Sequence, residues 1–156
     1  MSKPVAINPR IIESLYGEAL VLSDEVRAAF ARLQRQSEPH DPEDDDLARV
    51  ALSCEALRTT TRMMHAMAWL LNHRAYCKGE LSAFQLRQQG KLAYDFPRSD
   101  PARVALLDPP VRMLIGTTER FYARLVRLDT DWTQRAHPAA NPFSQLYERL
   151  GVAAQS

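Results

Sequence analysis

The sequence predicts an all-α protein, and three observations carry that reading. Apolar residues recur at alternating spacings of three and four through three long segments, the rhythm of an amphipathic helix. No run alternates apolar and polar residues over the length of a strand. Five Asx-Pro pairs stand where helices would begin: Asn8-Pro9, Asp41-Pro42, Asp100-Pro101, Asp108-Pro109 and Asn141-Pro142. An Asn or Asp side chain accepts a hydrogen bond from a free helical N–H. Proline fits the next position because its missing donor had no partner there anyway. The expected architecture is an antiparallel three-helix bundle of long helices, homodimeric, over residues 1–135. A tail, residues 136–156, would carry a short helix at 142–150.

The first long helix is expected from Pro9 to Gln36. Its seam is Ile12, Leu15, Ala19, Leu22, Val26, Ala29 and Leu33, widened by Ile11, Tyr16 and Phe30. After the loop SEPHD, a second helix is expected from Glu43 to Lys78, closed by Gly79 beyond its C-terminus. Glu43, Asp44, Asp45 and Asp46 crowd its first turn, where acids offset the helix dipole. Ser82 and Gln85 have the spacing of a capping box and open a short helix to Gln89. Pro101 to Leu107 adds another turn or two. A connection this long between packed helices is unusual unless it covers something. The third long helix is expected from Pro109 to Trp132, on the seam Val111, Leu114, Thr118, Phe121, Leu125, Leu128 and Trp132.

The second helix has more apolar surface than one neighbour uses. One row is Leu47, Val50, Cys54, Leu57, Thr61, Met64, Ala68, Leu71 and Ala75. A second row, Leu52, Ala56, Thr59, Met63, Ala66 and Leu70, has the same rhythm and continues through His73 and Cys77. A helix on the surface of a bundle needs an apolar arc only a little over about 100° wide. The first row is assigned to the core. The second, with Leu52, Thr59, Met63, Ala66 and Leu70, is assigned to a homodimer interface in which small residues let two backbones approach. The competing arrangement folds the segment from Glu80 to Leu107 back over this second row. Of the three consecutive threonines, Thr59, Thr60 and Thr61, two would face neighbours, each able to bond the carbonyl one turn earlier.

The remaining arc is polar: Glu55, Arg58, Arg62, His65 and Asn72, with Trp69 among them. Glu55, Arg58 and Arg62 are one-turn neighbours, and a single acid cannot answer two arginines. One reading is a solvated face with an intrahelical ion pair, or internal pairs that fix the bundle. The other is a partner-binding strip that recognises a carboxylate or an acidic segment.

Composition narrows the function classes. The chain has 156 residues and a net charge of +1, the size of one domain with no basic excess for nucleic acid. No stretch of eighteen apolar residues suggests a membrane span, and the N-terminus lacks an apolar signal core, so a cytoplasmic location is expected. Cys54 and Cys77 are separated by roughly 34 Å along one helix, too far for a bond within the chain. His73 and Cys77 are one turn apart, with His65 and several methionines nearby, but four converging ligands are not apparent. Phosphate-loop, zinc-protease and nucleophile-elbow motifs are missing. The expectation is a protein without enzymatic activity, metal or cofactor, with a ligand- or metal-binding helical bundle as the alternative.

Two stretches carry a family resemblance. ESLYGEALVLSDEVRAAF and ARVALSCEALRTTTRMMHAMAWLLNHRAYCKGE together resemble the RcdA family (regulator of CtrA degradation) of alphaproteobacteria. The match is strongest over Ser53, Glu55, Arg58, Thr60, Thr61, Arg62, Met64, Trp69, Leu70, Leu71, Arg74, Gly79 and Glu80. The resemblance covers about half of the chain. It implies a dimeric three-helix bundle that serves as a non-enzymatic adaptor in cell-cycle-regulated proteolysis. Its implied partners are a ClpXP protease primed by a response-regulator-type adaptor, and the regulatory proteins it helps to deliver.

Overall fold

A computed structural model describes residues 5–36, 44–94, 96 and 98–136. Every regular element among them is a helix: α1 (Pro9–Gln36), α2 (Asp44–Cys77), α3 (Ala83–Gln89), α4 (Pro101–Val104) and α5 (Pro109–Ala136). The loop after α1 and the helix expected at 142–150 lie outside the described residues. No described helix is long and apolar enough to cross a membrane.

Local chemistry explains the boundaries. Asn8 Oδ1 accepts from the Arg10 N–H at 3.0 Å, and Pro9 takes the first helical position of α1. Asp100 Oδ1 does the same for the Ala102 N–H at 3.0 Å, with Pro101 opening α4. The capping box at α3 is complete. Ser82 Oγ accepts from Gln85 N at 3.2 Å, and Gln85 Oε1 accepts from Ser82 N at 2.9 Å. At the end of α2, Gly79 takes a φ of 79°, a left-handed conformation that costs a glycine little. Its N–H bonds Tyr76 O and the Glu80 N–H bonds Ala75 O, the paired 5→2 and 6→1 bonds that close a helix at such a glycine.

The three long helices each touch the other two. Their directions follow from who meets whom. Arg74 near the end of α2 bonds Glu13 at the start of α1 at 2.7 Å, so these two helices are antiparallel. Arg124 of α5 bonds Glu18 of α1 at 2.7 Å, while Leu33 of α1 shares a cleft with Val111, so this pair is antiparallel too. Along α2 and α5, Arg62 meets Thr118, Trp69 meets Asp129, and His73 meets Trp132. Both numbers rise together, so α5 runs parallel to α2. The expected antiparallel order is corrected here. The segment from Glu80 to Asp108 accounts for it by carrying the chain back along α2 before α5 begins.

The core is built from Ile12, Leu15, Ala19, Leu22, Val26 and Phe30 of α1, with Val111, Ile115, Phe121, Tyr122 and Leu125 of α5. From α2 it takes Leu52, Met63, Ala66, Trp69 and Leu70. The α1 seam lies where its periodicity puts it. On α2 the assignment is reversed. Leu52, Thr59, Met63, Ala66 and Leu70, expected at a dimer interface, are buried inside the single chain. Leu47, Leu57 and Met64, expected in the core, are 69%, 71% and 65% exposed. Surface already covered by α1 and α5 cannot also meet a second copy, so the five residues are not a dimer face.

Candidate functional site

Three arcs of α2 meet three environments. The inner arc faces α1 and α5. The polar arc lies under the returning segment between α3 and α5. The outer arc faces solvent.

The polar arc is an internal fastening. Glu55 is fully buried, and its Oε1 accepts from Arg58 Nη1 at 3.2 Å and from the Asp100 N–H at 3.1 Å. Arg58 also donates to Arg98 O at 3.1 Å. Arg62 is 2% exposed and reaches α5, donating to Thr118 Oγ1 at 2.9 Å, with Glu119 Oε1 at 3.4 Å and Ser99 Oγ at 3.2 Å. Glu119 in turn accepts from the Ser99 N–H at 2.9 Å. Burial lowers the Arg62 pKa, and Glu119 and then Glu55 oppose that shift. Of the predicted partner strip, Glu55 and Arg62 are therefore enclosed, and Arg58 is half-buried. They hold Arg98, Ser99 and Asp100 against α2 and α5, so they are corrected from an exposed recognition strip to a clamp on the returning chain. Glu55 Oε2 has no donor among the described residues.

A second buried polar cluster was not visible in the sequence. Asp129, 2% exposed, accepts from Trp69 Nε1 at 2.9 Å and from Tyr94 Oη at 2.6 Å, tying α5 to α2 and to the returning segment. Its signal was an acid one turn before Trp132 on the apolar side of the last helix. His73 lies beside this cluster with its ring 4.1 Å from that of Trp69 and 5.2 Å from that of Trp132. Neither of its ring nitrogens has a partner among the described residues. Burial pushes its pKa down to about 4, opposed by Asp129. Cys77, one turn on, points its Sγ toward Ile7 O at 3.9 Å, and burial raises its thiol pKa. His65 packs on Phe96 instead, with ring centres 5.3 Å apart. Among the described residues, no three His, Cys, Asp or Glu side chains are grouped so as to hold a metal ion.

The outer arc is the open surface. Leu47, Val50, Leu57, Met64 and Leu71 are exposed along α2, with Cys54 and Thr61 half-buried between them. Thr61 Oγ1 bonds Leu57 O at 2.8 Å, which removes the cost of an apolar neighbourhood for its hydroxyl. The buried Thr59 makes no such bond. Beside this row, α1 and α2 enclose a groove of about 850 Å³ lined by Val26, Phe30, Ala56, Met63, Met67 and Leu71 among others. The surface is apolar, about 36 Å long from Leu47 to Leu71 at 1.5 Å per residue, and made by side chains rather than by reactive groups.

A family model described as "Protein of unknown function (DUF1465)" matches residues 4–154, so the chain belongs to that family. No curated protein and no solved structure matches it.

Proposed function

We propose that this DUF1465 family member is a non-enzymatic adaptor: a homodimeric three-helix bundle that helps deliver selected regulatory proteins to the ClpXP protease in cell-cycle-regulated proteolysis. The observation that carries the reading is the outer arc of α2 together with the groove beside it. A contiguous apolar surface of this length marks a place where proteins meet. The conspicuous charges of α2, by contrast, are engaged in holding the returning segment. The resemblance of α1 and α2 to the RcdA family supplies the protease and its primed state. An adaptor needs no chemistry of its own, because tethering cargo beside the unfoldase raises its effective concentration.

In this reading the homodimer forms on the outer arc of α2. Leu47, Val50, Cys54, Leu57, Thr61, Met64, Ala68 and Leu71 keep strict three-four spacing through more than three heptads. A repeat of 3.5 residues is the seam two helices use when they supercoil. The α2 helices of two copies meet along it, and the α1–α2 groove flanks the seam.

The test is a pull-down of the tagged chain from its own cell extract, with the protease trapped in an inactive form. Enrichment of the ClpX unfoldase, its priming adaptor and transcriptional regulators is the expected result. A reproducible list without the unfoldase and its priming adaptor overturns the reading.

A further inference from the structure

Between the returning segment and α5 lies a pocket of about 500 Å³ whose lining charges are unbalanced. Among the described residues, its lining holds four arginines, Arg62, Arg98, Arg120 and Arg127, and one carboxylate, that of Glu119. The local positive excess is thus larger than the +1 of the whole chain. Glu119 is already taken by Arg62 and the Ser99 N–H. The three rim arginines, all exposed, meet no carboxylate among the described residues. Among the described residues, Arg120 donates to Thr117 Oγ1 alone, at 3.0 Å. Its guanidinium lies over Gly116, where an added Cβ would come within 3.3 Å of Nη1, so the glycine leaves room for it.

The walls are fixed in advance. Phe96 is wedged between His65 and Tyr122, with ring centres 5.3 and 5.6 Å away, and the Arg62 guanidinium lies 5.9 Å from its own ring centre. Tyr122 Oη holds Ala93 O at 2.8 Å, and Tyr94 Oη is held by Asp129. An aromatic floor beneath unpaired arginines suits a ligand with carboxylates on a partly apolar body. Arg120 and Arg127 share a helix face and stand about 10 Å apart along it. That is wider than one phosphate or carboxylate, and it is the length of an extended chain of about three residues.

We infer that this pocket binds a short acidic segment of a partner protein, its carboxylates held by Arg98, Arg120 and Arg127 and an apolar side chain resting on Phe96. The inference rests on the adaptor reading for its partner, and it gives that partner a recognition signal distinct from the apolar arc on α2.

Fluorescence anisotropy with a fluorescein-labelled octapeptide of aspartates and glutamates around one phenylalanine tests it on the full chain. Binding is expected to weaken about tenfold or more in Arg120→Glu with Arg127→Glu, and to weaken as salt rises. Both positions are exposed, so circular dichroism should be unchanged in the double variant. The same peptide with glutamines in place of its acids is expected not to bind. Absence of binding, equal binding of the glutamine peptide, or unchanged affinity in the double variant overturns the inference. ATP or inorganic phosphate displacing the peptide from the pocket overturns it in favour of a small anion. The two readings fail separately. A pull-down that recovers the protease without peptide binding removes only the pocket, and peptide binding without the protease removes only the adaptor.

Discussion

His73 shows how a single side chain can set the acid limit of the fold. It is 1% exposed, its nitrogens lack partners among the described residues, and its pKa is depressed to about 4 from the usual 6.5. A depressed base gains its proton in the unfolded chain first. The stability tied to His73 is therefore complete above pH 6.5, falls as pH drops from 6.5 toward 4, and levels off below. The shift corresponds to roughly 3 kcal/mol at about 1.4 kcal/mol per unit. His73→Phe keeps a ring between Trp69 and Trp132 and removes both unmet nitrogens. Urea unfolding at pH 7 and pH 4.5 should show a clear loss of stability in the wild type and a smaller one in the variant. An equal loss in both would place the acid sensitivity elsewhere than at His73.

At the level of the element, α2 decides how the surface is divided, and the structure reverses the expected division. Leu57→Glu with Met64→Glu should give a folded chain of unchanged helicity that sediments as a monomer, because both side chains lie outside the core. Met63→Glu with Leu70→Glu should unfold it, since each places a charge inside the buried core. Leu70→Ala alone should cost about 2–5 kcal/mol by leaving a cavity. Sedimentation and thermal melts on these variants separate the two arcs, and a dimer persisting in Leu57→Glu with Met64→Glu would remove α2 from the interface. The boundaries of α1 and α3 and the stop at Gly79 were legible because capping chemistry is local. The inner face of α2 was not. Its two apolar rows share one rhythm, and periodicity gives a row's direction only relative to its own helix. Larger residues marked the wrong row: Thr59 and Ala66 are small because neighbouring helices approach them, whereas Leu57 and Met64 face solvent. The charges misled for a related reason. An isolated Glu55–Arg58–Arg62 strip reads as surface, and only residues some forty to sixty positions later, Ser99, Asp100, Thr118 and Glu119, satisfy it from above.

Across the whole molecule, parallel α2 and α5 require the chain to travel back, and the polar arc is what keeps that return in place. Among the described residues, side chains reaching from the long helices attach the stretch between α3 and α4: Glu55 to the Asp100 N–H, Glu119 to the Ser99 N–H, Arg58 to Arg98 O. The same stretch supplies Phe96 and Arg98 to the cationic pocket, so loosening the clamp would disturb the pocket. Removing the Glu55 carboxylate leaves the Asp100 N–H without its acceptor and Arg58 without its acid. Loss of such a buried, charge-assisted partner costs about 1.5–3 kcal/mol. That cost should fall on the returning segment before it reaches the core, because these contacts belong to that segment and can open locally. In Glu55→Ala, amide hydrogen exchange at Ser99 and Asp100 should therefore accelerate more than exchange in the middle of α1, and the acidic octapeptide should bind more weakly although Glu55 does not line its pocket. Uniform acceleration through all three long helices would show that the arc supports the core as a whole and has no separate hold on the returning chain.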